Sequence, residues 1–241
     1  MSEREVVFKA LVGSHNYNLN TPESDKDYKV FTFPTFEDLY YGKEASHSTV
    51  GQTADYDYHD VRKINHLFWK ANLNFIEVLY SREIVFMGDF PEIQVLFSMR
   101  DDIVRMNLPY LFDACRGMFY EKMKKLEKGT EGTQYLVDKF GYDTKQALHA
   151  WRILDFAIRF ADRGFVKFAE AMTYDSYGRH RMLEIKGGDY TLEEFKNLAA
   201  VKFTEFLAYE PRYKAIQPNE ETKAKVENLI MSLVKNKLLG V

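Results

Sequence analysis

The chain has 241 residues, enough for one large domain or two small ones, and its 46% hydrophobic and 29% charged residues are ordinary for a globular protein. Its one cysteine, Cys115, excludes an internal disulfide and a cysteine-based metal cage. No window approaches the ~18 consecutive apolar residues of a membrane span, and MSEREVVFK carries charges where a signal peptide is apolar, so we expect a cytoplasmic protein with no membrane partner.

The net charge of −3 is unevenly spread. Residues 1–100 hold ten basic and fifteen acidic residues, whereas residues 103–186 hold fifteen basic and eleven acidic ones. An acidic front beside a basic middle suits a metal site next to a surface for phosphate or nucleic acid.

In chain order, VVFKALV over 6–12 is short and β-branched and is followed by Gly13, which predicts a buried strand. YKVFTF over 28–33 alternates and is stopped by Pro34, a second strand; residues 34–52 read as irregular, with Gly42 and Gly51 as punctuation. DYDY over 55–58 predicts a third strand, after which Asp60 can cap a helix carrying Val61, Ile64, Leu67, Phe68 and Ala71 on one face. Asn72 and Asn74 break that helix, and FIEVLY over 75–80 fits a short helix or a strand equally.

After about residue 100, helical periods take over. They run over Tyr110–Lys128, over Thr144–Arg163 and over Glu220–Leu239, and Thr191 with Glu194 forms a capping-box pattern. The expected architecture is α+β: a small mixed-sheet module over 1–100, then a helical half over 101–241.

The chemistry concentrates in GSHNYNLNTPESDKDY at 13–28. Residues two apart on a strand share a face, so Asp25 and Asp27 point the same way, as do Asp55 and Asp57 on the third strand. Paired carboxylates of this kind can bind Mg²⁺. Gly13 lets the backbone approach a ligand closely, and Ser14 offers a hydroxyl and an N–H to a phosphate. Thr21, Glu23 and Ser24 are suited to shaping the turn. Metal plus phosphate is the equipment of phosphoryl or nucleotidyl transfer.

These residues resemble the DNA polymerase beta-like nucleotidyltransferase superfamily, and within it a bacterial and phage family of nucleotidyltransferases associated with RNA repair. The resemblance rests on residues 13–28 with DYDYHDVRKI at 55–64, NLNFIEVLY at 72–80, FGYDTKQALHAWRIL at 140–154 and IKGGDYTLEEF at 185–195. It implies a palm-like catalytic module, a helical half completing the cleft, and transfer of a nucleoside monophosphate from an NTP with release of pyrophosphate. It further implies that Gly13 and Ser14 hold the NTP phosphates, and that Asp25 and Asp27 bind Mg²⁺ or Mn²⁺. Asp55 would be the third acid, because Val61-Arg62-Lys63 then falls on the family's helix start; Asp57 is the alternative. One departure stands out: many members have Gly four residues after the Ser, where this chain has Asn18. Asn tolerates a left-handed backbone better than other non-Gly residues.

A second cluster lies in GYDTKQALHAWR, where Lys145, His149 and Arg152 fall along one side of a helix and match the family pattern. They would grip a triphosphate or a nucleic-acid backbone. His15 could touch a phosphate or base, or tie its own turn. The acceptor is expected to be RNA, tRNA-like, and otherwise a protein or a small molecule. The competing class is a catalytically silent nucleotide-binding regulator or antitoxin-like protein.

Overall fold

The computed structural model of the protein describes residues 4–240. They divide into two compact units: one formed by the residues up to Asn107 together with those from Pro218 onward, the other by Leu108–Gln217.

The first unit is built on a five-stranded sheet of β1 (Val6–Val12), β2 (Lys26–Thr32), β3 (Ser46–Val50), β4 (Ala54–Asp60) and β5 (Ile84–Phe86), in the order β3-β4-β2-β1-β5. β2 and β4 run parallel, and the other pairs are antiparallel. The first strand appears as the sequence predicts. The second begins at Lys26, so Asp27 lies inside it and Asp25 just ahead of it.

Residues 34–52 are not irregular. They hold helix α2 (Phe36–Tyr40, following the turn helix α1, Gly13–Tyr17) and the edge strand β3. The strand SHSTV is exposed along its whole length and so lacks the apolar alternation that announces a strand. α2 is opened by a capping box between Thr35 and Asp38.

The rest of the first unit is helical. Asp60 accepts from the Arg62 N–H just before α3 (Lys63–Trp69), and Asn72 caps α4 (Leu73–Ile76) rather than merely ending its predecessor. FIEVLY resolves as the end of α4 and a 3₁₀ turn over Glu77–Tyr80. α5 (Pro91–Ser98) and α6 (Arg100–Arg105) follow. Phe8 and Phe31 stack at 4.7 Å, with Phe97 edge-on to Phe8.

The second unit is all helical: α7 (Leu108–Lys124), α8 (Gln134–Phe140), α9 (Thr144–Asp162), α10 (Phe168–Met172), α11 (Ser176–Gly187), α12 (Leu192–Leu207) and α13 (Glu210–Lys214). The amphipathic α9 is its centre, packed by α7, α11 and α12. Phe112 stacks on Phe206 at 4.2 Å, and the buried Tyr213 donates to the Ala157 carbonyl. Trp151 is core, and Thr191 and Glu194 form the expected capping box. The last helix, α14 (Glu220–Leu239), returns to the first unit and packs on α3, α5 and α6. Sequence periodicity placed it with the helical half because helical period alone does not say which core a helix joins.

The Asp38 carboxylate also accepts two 2.9 Å bonds from the Arg4 guanidinium. The guanidinium and the Thr35 cap hold its pKa well below the usual carboxylate range, against the effect of burial. A depressed folded pKa means stability present at neutral pH and lost as pH falls below about 4. Arg4→Ala is therefore expected to cost about 2 kcal/mol at pH 7, from loss of a charge-assisted bidentate pair. Urea melts across pH should show that difference shrinking below pH ~4.

Candidate active site

The register of the sheet sets three rows of side chains on one face. Val12, Asp27, Asp55 and Val50 lie side by side across β1, β2, β4 and β3. The next row is Ala10, Lys29, Asp57 and Ser48, and the next Phe8, Phe31, His59 and Ser46. The opposite face carries Tyr28 stacked on Tyr56 at 5.5 Å and His47 stacked on Tyr58 at 4.5 Å. Tyr56 and Tyr58 thus point away from Asp55 and Asp57, as alternation predicts.

Asp27 and Asp55 are direct neighbours on parallel strands, whose axes are ~4.8 Å apart. Gly13 directly follows Val12 of that row. Its φ is +71°, and a Cβ built there would sit 2.7 Å from Asp27 Oδ2. The missing side chain lets the turn backbone and the Asp27 carboxylate share one small space. Asn18 closes α1 in the left-handed conformation at φ 64°, the backbone that glycine commonly supplies at such a position.

The turn is self-braced. Ser24 Oγ accepts from the Thr21 N–H, and the Ser24 N–H donates to the Thr21 carbonyl. His15 Nε2 pairs with the Ser24 carbonyl at 3.0 Å, so that ring nitrogen ties the turn carrying Asp25. Asp25 itself is exposed.

The two candidates for the third acid differ in their commitments. Asp57 is bound by Lys29 Nζ at 2.8 Å, His59 Nε2 at 2.8 Å and the Ser48 hydroxyl at 3.0 Å. Burial alone would raise its pKa, but Lys29 and His59 more than offset this and hold it below the usual range. Burial pushes His59 down against the pull of Asp57, with Lys29 and Lys63 adding to the effect. Asp55 accepts a 3.2 Å bond from the Gly51 N–H, and it sits beside Asp27.

Among the described residues no three His, Cys, Asp or Glu side chains form a ready metal cage. The donor chemistry still fits a hard cation, because Mg²⁺ is commonly held by one or two carboxylates and completed by phosphate oxygens and water. Asp27 and Asp55, side by side with the bare backbone of Gly13 close to the Asp27 carboxylate, fit that arrangement. Lys29, His59, Ser46 and Ser48 are the residues of this face that the sequence did not single out. The one signal for them is that Lys29 and His59 keep the same alternation as Asp27 and Asp55.

Lys145, His149 and Arg152 lie on α9 in the second unit. Lys145 is exposed, and Arg152 is 2% exposed. His149 keeps some solvent-accessible surface, yet burial together with Arg152, Lys122, Lys145 and Lys186 pushes its pKa down to about 3. A neutral imidazole therefore sits within a basic cluster drawn from α7, α9 and α11. Cys115 is fully buried, with its thiol pushed up to about 12. It is an inert packing residue.

Comparison with known proteins matches residues 1–162 to a family model described as RlaP, the RNA repair pathway DNA polymerase beta family. No curated protein sequence matches the chain. The matched region contains every candidate acid and α9; the stretch at 185–195 lies beyond it.

Proposed function

The chain belongs to the RNA repair pathway DNA polymerase beta family, and on that premise we propose that it transfers a nucleoside monophosphate from an NTP to an acceptor hydroxyl of RNA, releasing pyrophosphate. The observation that carries this reading is the row in which Asp27 and Asp55 lie side by side with Gly13 against Asp27.

Asp25, Asp27 and Asp55 are assigned to hold Mg²⁺ or Mn²⁺, which when bound neutralises charge on the transferred phosphoryl group. The bare backbone at Gly13 and the Ser14 hydroxyl bind the triphosphate. Asp55 helps draw the proton from the attacking hydroxyl. Asp57 has three partners already and serves to hold Lys29 and His59 in place. His15 positions the turn that carries Asp25.

Lys145, His149 and Arg152 are assigned to phosphate contacts, of the nucleotide or of an RNA backbone. Lys145→Ala is expected to weaken NTP binding about tenfold, the loss of one charge-assisted contact. Titration of the variant by calorimetry checks this, and an unchanged affinity would return the helix to packing alone.

The direct test incubates the protein with each α-labelled NTP, Mg²⁺ or Mn²⁺ and total cellular RNA, beside an Asp25→Ala/Asp27→Ala control. Label on RNA that depends on the acids supports the proposal. Label on protein or a small molecule with none on RNA keeps the chemistry and discards the RNA acceptor. NTP binding with no product favours a silent regulator.

A further inference from the structure

On the acid-bearing face, Ser46, His59 and Asp57 are linked in a chain of hydrogen bonds. Ser46 Oγ lies 3.1 Å from His59 Nδ1, and His59 Nε2 lies 2.8 Å from Asp57 Oδ2. Lys63 Nζ donates to Ser46 Oγ at 2.5 Å.

The tautomer follows from the partners. An ionised carboxylate only accepts, so His59 must carry its proton on Nε2. Nδ1 is then an acceptor, and the Ser46 O–H donates to it. Lys63 adds a positive charge beside the oxygen, where an alkoxide would develop. A nucleophile hydrogen-bonded to a base, with the base oriented by a third group, is the arrangement that activates serine for covalent chemistry.

The surroundings support a reactive rather than a purely packing role for the hydroxyl. His59 is 7% exposed, held between Asp57 and the Phe75 ring, whereas Ser46 is exposed at the start of the edge strand β3. A protected base serving an exposed hydroxyl suits an acceptor that meets an electrophile from outside.

We propose that Ser46 is itself a nucleotidyl acceptor, modified by a second copy of this chain. The inference rests on the reading above for its donor, an NTP. Ser46 Oγ attacks the α-phosphorus and forms a P–O bond. The bond to the pyrophosphate oxygen breaks, pyrophosphate leaves, and the serine proton passes to His59 Nδ1. The register sets Ser46 apart from the acids of its own chain. Ser46 pairs with His59, four residues beyond Asp55 on β4. At ~3.3 Å per residue that is roughly 13 Å from the acids, whereas attack requires about 3–3.5 Å. An exposed edge strand can instead enter another copy's cleft.

The test mixes two variants. Asp27→Ala supplies an intact Ser46 without turnover, and Ser46→Ala supplies turnover without the acceptor. Both are incubated with α-labelled NTP and Mg²⁺, with RNA present, and peptides of each chain are mapped by mass spectrometry. The expected result is a nucleoside monophosphate on Ser46 of the Asp27→Ala chain. His59→Gln in that chain, checked for an unchanged thermal melt, should slow labelling about a hundredfold, the scale of a lost general base. Labelled RNA with an unlabelled Ser46 overturns this inference and leaves the proposed function standing. Label on another residue overturns the assignment to Ser46. No labelled product of any kind overturns both.

Discussion

Asp27→Ala is expected to lower nucleotidyl transfer about 10³-fold or more, the scale of several kcal/mol of transition-state stabilisation from a lost metal ligand. The fold should survive, because Asp27 is a half-buried carboxylate among other acids rather than part of the apolar core. A thermal melt within a few degrees of the parent, combined with the lost rate, would separate the two roles. Retained activity would remove the metal clamp from the proposal.

The same assay discriminates the third acid. Asp55→Asn should reduce the rate nearly as far as Asp27→Ala, since it stands next to Asp27 in the row. Asp57→Asn should act mainly on stability. Lys29 is largely buried, its side chain 11% exposed, and its ammonium would lose its charged partner. The reverse pattern would move the third acid to Asp57.

How much of this was legible in the sequence varies with the kind of signal. Alternation placed Asp55 and Asp57 on one face and Tyr56 and Tyr58 on the other without any tertiary information. The left-handed backbone at Asn18 was legible only through the resemblance, in which many members have Gly at that place and Asn is the side chain that tolerates it best. Strand pairing was not legible. Nothing local says that Asp27 and Asp55 share a register, or that Lys29 reaches Asp57, because those contacts span 28 residues. The edge strand β3 escaped because an exposed strand has no apolar face to betray it. It carries Ser46 and Ser48, so the His59 relay escaped with it. α14 was legible as a helix but not as a member of the first unit, since its partners are set by packing.

Gly13→Ala is expected to damage both stability and rate, for two separable reasons. At φ +71° an L-residue with a Cβ is strained by about 1–2 kcal/mol. The new methyl would also lie 2.7 Å from Asp27 Oδ2, so the carboxylate has to rotate away. A displacement of about 1 Å in a reacting group costs on the order of 10²-fold in rate. Gly42→Ala is the matched control. Gly42 also has a positive φ, +60°, but a Cβ there meets nothing within 4 Å. Urea denaturation should therefore report a similar loss of stability in both variants, while the labelling rate falls only in Gly13→Ala. Equal rates in the two variants would mean that the closeness of Gly13 to Asp27 serves the turn and not the chemistry. A rate lost in Gly13→Ala alone would tie the absent side chain at residue 13 to the placement of the Asp27 carboxylate.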